Sequence, residues 1–88
     1  MEWYVYILRC GDGTLYTGMT DNVERRLAAH RAGKGAKYTR GRGPLELVYR
    51  ESVPDRAAAL RREAQIKRLP RAEKLALIEH AEHDGAEI

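Results

Sequence analysis

The chain has 88 residues, a formal net charge of +3 and one cysteine. That length supports one small domain, and 43% hydrophobic with 33% charged residues sets it apart from disordered chains. Cys10 stands alone, which excludes an internal disulfide and implies a reducing compartment, so Cys10 reads as a small residue at a strand end. No run approaches the ~18 apolar residues of a membrane span. The opening does not read as a secretory signal, because it starts with Glu2 and its apolar run is short and aromatic. A cytoplasmic protein with no membrane partner is expected.

Trp3 to Leu8 and Leu15 to Met19 are apolar, β-branched and aromatic runs around Gly11-Asp12-Gly13, and they predict a β-hairpin. A two-residue turn would pair Tyr6 with Met19 and send Tyr6 and Tyr16 to opposite faces. A three-residue loop, with Gly13 in the left-handed region, pairs Tyr6 with Gly18 and Leu8 with Tyr16. That register gives one mostly apolar face (Trp3, Val5, Ile7, Leu15, Thr17, Met19) and one face of phenols around a glycine that leaves open space beside Tyr6. The separation favours the second register.

A helix follows to about Ala32, with Asp21 and Glu24 spaced as a capping box and Gly33 placed to end it. Val23, Leu27 and Ala28 predict its buried stripe. Arg26 and His30 are four apart and share one face, while Arg25 and Arg31 point to solvent. Residues 33–44 form a glycine-rich basic loop containing Lys34, Lys37, Tyr38 and Arg40. Within 23–42 seven basic residues face Glu24 alone, a balance that suits a polyanion or a solvated surface. The loop reads as a phosphate-backbone contact in preference to a mobile connector, and Tyr38 would stack on a base or pin the loop.

Leu45 to Glu51 predicts the third strand, with Leu45, Leu47 and Tyr49 alternating against Glu46, Val48 and Arg50. A helix starts near Ser52-Val53-Pro54-Asp55, runs to about Leu69 and stops at Pro70. On it Glu63 falls between Leu60 and Ile66, about 60° from each, so it is either a carboxylate bordering a cleft or a surface acid paired with Lys67. A last helix covers Arg71 to about Ala81, with Leu75, Leu77 and Ile78 as core candidates. The expected architecture is α+β: a three-stranded antiparallel sheet, made of the N-terminal hairpin and one later strand, flanked by about three helices. Residues 1–82 make one domain and 83–88 a frayed acidic tail. Residues 79–88 hold four acids and no Lys or Arg, so the rest of the chain sets sixteen basic residues against nine acidic ones.

Tyr4-Val5-Tyr6 and Tyr16-Thr17-Gly18 resemble the two half-motifs of the GIY-YIG nuclease domain. Asp21 to His30 resembles that family's first helix, and Arg61 to Lys67 the later helix with its metal-binding glutamate. The likeness covers nearly the whole chain and is nearest to the small stand-alone bacterial proteins of the YhbQ type. Tyr4 stands where the family has glycine, and Thr17 where it has isoleucine. The resemblance implies a GIY-YIG-like fold and a DNA endonuclease. It implies Tyr6 as base, Tyr16 and His30 in its hydrogen-bond network, Arg26 on the phosphate, and Glu63 on a single divalent ion, Mg²⁺ or Mn²⁺. Arg25, Lys34, Lys37, Tyr38 and Arg40 would meet DNA, in branched, nicked or single-stranded form, with RNA left open and a partner protein for targeting. A role in DNA repair or processing with little sequence specificity would follow. A non-catalytic nucleic-acid-binding module and a protein-interaction domain are the competing readings.

Overall fold

The computed structural model describes residues 2–83. Strands β1 (Trp3–Arg9) and β2 (Leu15–Thr20) pair antiparallel with Tyr6 opposite Gly18 and Leu8 opposite Tyr16. This is the register of the three-residue loop. Gly13 has φ +86°, a value that costs glycine nothing and a side chain about 1 kcal/mol or more. The Cys10 amide donates to the Thr14 carbonyl at 2.8 Å, and the Gly13 amide to the Cys10 carbonyl at 2.9 Å. Asp12 Oδ1 accepts from the Thr14 amide and hydroxyl.

Strand β3 (Glu46–Val53) pairs antiparallel with the other side of β1, giving the order β2-β1-β3. Simple alternation does not survive along it. Leu8 faces Leu47, but Ile7 faces Tyr49, so one extra residue, Val48, enters between them. Such a bulge turns the following side chains over. Tyr49 therefore joins Val5, Ile7 and Val48 on one face, while Leu45 and Leu47 stay with Tyr6 and Leu8 on the other. The strand also reaches Val53 and takes up Ser52 and Val53, which the sequence pattern gave to the start of the next helix.

Helix α1 (Val23–Arg31) is capped by Asn22, whose Oδ1 accepts from the Arg25 amide at 3.0 Å. Asp21, the cap expected from the spacing, instead pairs with the Arg25 guanidinium at 3.6 Å. Val23 and His30 are buried, Leu27 is partly buried, and Ala28 is exposed, contrary to expectation. Helix α2 (Arg56–Arg68) is capped by Asp55 and ends before Pro70. Helix α3 (Arg71–His83) follows directly. Of the expected tail, only His83 lies among the described residues.

Helices α2 and α3 cover the Val5–Ile7 face through Ala59, Ile66 and Ile78. On the opposite face Leu27 of α1 packs against Tyr6, Leu8, Cys10 and Leu45. The apolar stripe of α2 is centred on Ala59 and Ile66, seven apart and almost eclipsed. Leu60 lies about 100° from that centre and is 45% exposed. Leu75 is also exposed, so Ile78 with Leu77 forms the working contact of α3. An 88-residue chain lacks the sheet area to cover every leucine.

Thr17 faces Ile7 across the hairpin and is buried, and its Oγ1 has no hydrogen-bond partner among the described residues. An unsatisfied buried hydroxyl costs about 1–3 kcal/mol. Thr17→Val removes it at nearly constant shape, and the expected result is a gain of about 1 kcal/mol, read as a melting temperature higher by roughly 4–8 °C. A lower melting temperature would show that the hydroxyl has a partner.

Candidate active site

The site is built where the phenol face of the hairpin meets α1. Tyr6 is nearly fully buried, and its ring lies over Gly18 on the neighbouring strand. A Cβ at position 18 would sit 2.4 Å from the Tyr6 hydroxyl and 3.1 Å from the Tyr16 ring. The space expected beside Tyr6 is therefore filled by Tyr6 itself. The absent side chain at 18 lets the phenol lie flat on the sheet and aim its oxygen at α1.

Helix α1 places Arg26 and His30 one turn apart. His30 is 2% exposed, and its Nε2 is 2.8 Å from the Tyr6 hydroxyl. Its Nδ1 is 2.9 Å from Thr39 Oγ1. Thr39 spends its one hydroxyl proton on the Ala36 carbonyl at 3.0 Å, so its oxygen accepts from Nδ1–H. That tautomer leaves Nε2 bare to accept from Tyr6. The Ala36 amide also points at Nδ1, at 3.4 Å, which would require a bare Nδ1. The longer bond is the weaker claim, and we assign the proton to Nδ1. The result is an oriented chain running from Tyr6 O–H through His30 and Thr39 to a backbone carbonyl. Gly35 makes room for it, since a Cβ there would lie 2.4 Å from Nδ1.

Electrostatics keep this chain neutral. Burial pushes the Tyr6 phenol up to about 12, only partly opposed by the neighbouring Arg26 guanidinium; the Glu63 charge adds to the rise. Burial also raises Tyr16, again against Arg26 and with Glu63. His30 is lowered, by burial first and then by the Arg26 charge. At neutral pH the imidazole is uncharged and both phenols hold their protons.

Tyr6, Tyr16, Arg26 and His30 thus share one environment, and the charge of Glu63 reaches both phenols from α2, which packs against β1 and β2. The Glu63 side chain is 19% exposed and its Oε2 lies 3.7 Å from the Lys67 ammonium. The surface pairing with Lys67 is present, and the charge of this acid is also felt at both phenols. The basic residues divide differently. Lys34, Lys37 and Arg40 are exposed along the loop, and Arg25 is exposed beside Asp21. Tyr38 stacks on Tyr16 with ring centroids 5.8 Å apart, and the Arg42 guanidinium lies 4.4 Å from its ring centre. Tyr38 therefore pins the loop to the site. Arg42 is in turn tied to Asp12 at the hairpin turn and to the Tyr38 carbonyl.

Sequence reasoning missed Thr39 and Gly35. Thr39 ends a short 3₁₀ turn, Lys37–Thr39, inside the basic loop, and nothing in local spacing links it to a histidine nine residues earlier. Among the described residues no three His, Cys, Asp or Glu side chains gather as a metal cage. Among the described residues, the one carboxylate whose charge reaches both phenols is that of Glu63. This fits a divalent ion that keeps most of its water, as Mg²⁺ does, and does not fit a structural zinc site.

Residues 2–76 match the GIY-YIG catalytic domain. A UPF0213 protein of Oceanobacillus iheyensis is 57% identical over 83 residues, covering 94% of this chain and 96% of that one. A UPF0213 protein of Natronomonas pharaonis is 60% identical over 77 residues, covering 88% and 91%. The solution NMR structure of a UPF0213 protein from Bacillus halodurans shares 51% identity with a TM-score of 0.58, over 90% of this chain and 84% of that one. The match takes in both half-motifs and the two helices that carry Arg26, His30 and Glu63, and by its extent this chain belongs to the GIY-YIG family.

Proposed function

We propose that this chain is a divalent-metal-dependent endonuclease that hydrolyses phosphodiester bonds in DNA. The observation that supports it best is the oriented hydrogen-bond chain from Tyr6 through His30 to Thr39, lying beside Arg26 and within the field of Glu63.

Phosphodiester hydrolysis needs a deprotonated nucleophile, a stabilised phosphorane and a leaving oxygen whose charge is met. A Mg²⁺ or Mn²⁺ ion held by the Glu63 carboxylate would polarise the phosphate and favour departure of the leaving oxygen. The guanidinium of Arg26 pairs with non-bridging oxygens and holds the charge that grows on them. A phenol near 12 is a poor base at pH 7 unless its own proton has somewhere to go. His30 supplies that place. As the attacking water gives a proton to the Tyr6 oxygen, Tyr6 gives its proton to Nε2, the water oxygen bonds to phosphorus, and the bond from phosphorus to the leaving oxygen breaks with its electron pair on that oxygen. The new imidazolium is held by Thr39 through Nδ1–H. Tyr16 flanks the imidazole edge-on, with ring centroids 5.3 Å apart, and limits its rotation.

Lys34, Lys37 and Arg40 would track the phosphate backbone, with Arg25 at the other side of α1. Such contacts carry affinity and little sequence information. Activity on branched, nicked or single-stranded DNA, a place in DNA repair or processing, and a partner that delivers so small a domain to its site follow from this reading.

The test is conversion of supercoiled plasmid to the nicked form in Mg²⁺ and Mn²⁺, with EDTA as control. Nicking that stops with EDTA supports the proposal. DNA binding that weakens steeply with salt, without cleavage in either ion, would replace it with a non-catalytic nucleic-acid-binding module.

A further inference from the structure

A cleft of about 410 Å³ opens beside the site, lined by Trp3, Met19, Asp21, Arg25 and Arg26. It is not the pocket of Tyr6 and His30, but Arg26 belongs to both. Its walls are of two kinds. The indole of Trp3 and the thioether of Met19 are polarisable and apolar. Arg25 and Arg26 set two guanidinium groups against the single carboxylate of Asp21, which pairs with Arg25 at 3.6 Å.

From this cleft we infer that the chain holds one unpaired nucleotide next to the scissile phosphate, with its base against Trp3. The inference rests on nucleic acid being the ligand, and it names the form of strand the site takes. A phosphate held by Arg26 stands at the cleft mouth, so the neighbouring nucleotide is the group that reaches it. A flat π surface suits any base, and the sulfur of Met19 adds soft contact without reading an edge. Asp21 accepts from exocyclic amino groups. The volume lies within the ~300–1,000 Å³ of small-ligand sites, enough for a single nucleoside and too little for a stacked pair. A base inside a duplex would have to leave its stack to enter, and an already unpaired one pays nothing for that step. Strands that are single, nicked or frayed at the cut are therefore preferred over intact duplex.

Trp3 is the only tryptophan in the chain, so its emission reports on the cleft directly. The experiment mixes the wild-type chain with a fluorescein-labelled oligothymidylate, or with its duplex on oligodeoxyadenylate, in EDTA so that no cutting occurs. Label anisotropy reads binding and indole emission reads stacking. The expected result is strong quenching by the single strand and little by the duplex. Trp3→Leu should weaken single-strand binding on the order of tenfold and leave duplex binding unchanged. Trp3 also packs against the core, and the wild-type emission keeps the test valid should that variant unfold. Bound single strand with unchanged indole emission would overturn the subsite. Absence of all binding would remove the subsite and the nuclease together. Quenching without cleavage in Mg²⁺ would remove the nuclease and keep the nucleotide site.

Discussion

Tyr6→Phe is expected to slow strand cleavage by about 10²–10⁴-fold, the usual worth of a positioned acid–base group. Its ring would still fill the space over Gly18, and only the hydrogen bond to His30 Nε2 would go. Stability should fall by about 1–3 kcal/mol, because the buried Nε2 is left without a partner. The pH profile distinguishes a catalytic loss from a structural one. Tyr6 is an acid whose pKa is pushed up to about 12, so it is protonated across the neutral range. The relay needs that phenol protonated and His30 Nε2 bare, so the wild-type rate should hold level from neutral pH upward. Burial and Arg26 lower the pKa of His30, so its imidazole stays neutral through that window. Once acid protonates Nε2, the acceptor for the phenol is gone and the rate should fall. Tyr6→Phe should leave a residual rate without that acid-side fall. Glu63→Gln keeps size and removes charge, and it should give a loss of similar size with the melting temperature nearly unchanged. Cleavage that persists in both variants would mean that the strand is cut elsewhere or by a contaminant.

Gly18→Ala should disrupt both the fold and the site. Its Cβ would lie 2.4 Å from the Tyr6 hydroxyl oxygen and 2.6 Å from Cζ. A ring on the surface would swing aside. This ring is buried, bonded to His30 and flanked by Tyr16 at 6.4 Å between centroids, so it has nowhere to go without breaking the site. Overpacking of this kind costs about 1–3 kcal/mol, and the lost buried hydrogen bond about 1 kcal/mol more. The melting temperature should drop by roughly 10–20 °C, and the fraction that remains folded should not cleave. A variant that melts like the wild type would show that the phenol does not lie over the glycine.

The hairpin could be read because its chemistry breaks cleanly across its two faces. Only one loop length put the phenols together, and the paired strands obey it. Arg26 with His30, and Glu63 near the apolar stripe of α2, followed from helical spacing alone. What spacing could not show is that Glu63, on a helix packed against one face of the sheet, is felt by phenols on the other. The bulge at Val48 escaped because it is a property of the β1–β3 pairing, and β3 taken alone alternates well. Asn22 displaced Asp21 as the helix cap because both are good caps and the chain direction after Thr20 chose between them. Thr39 stayed hidden because the loop around it reads as glycine and charge. Its partner comes from tertiary packing, which no periodicity encodes.

The guanidinium of Arg42 is already committed: it grips the Tyr38 ring and neutralises Asp12 at the hairpin tip. It is a strut, and its charge is not on offer to a nucleic-acid backbone. The cations left to greet a strand, Lys34, Lys37 and Arg40, ride on a segment whose course is set before any strand arrives. Docking then need not immobilise the loop as well as the ligand, and association is spared most of that ordering entropy.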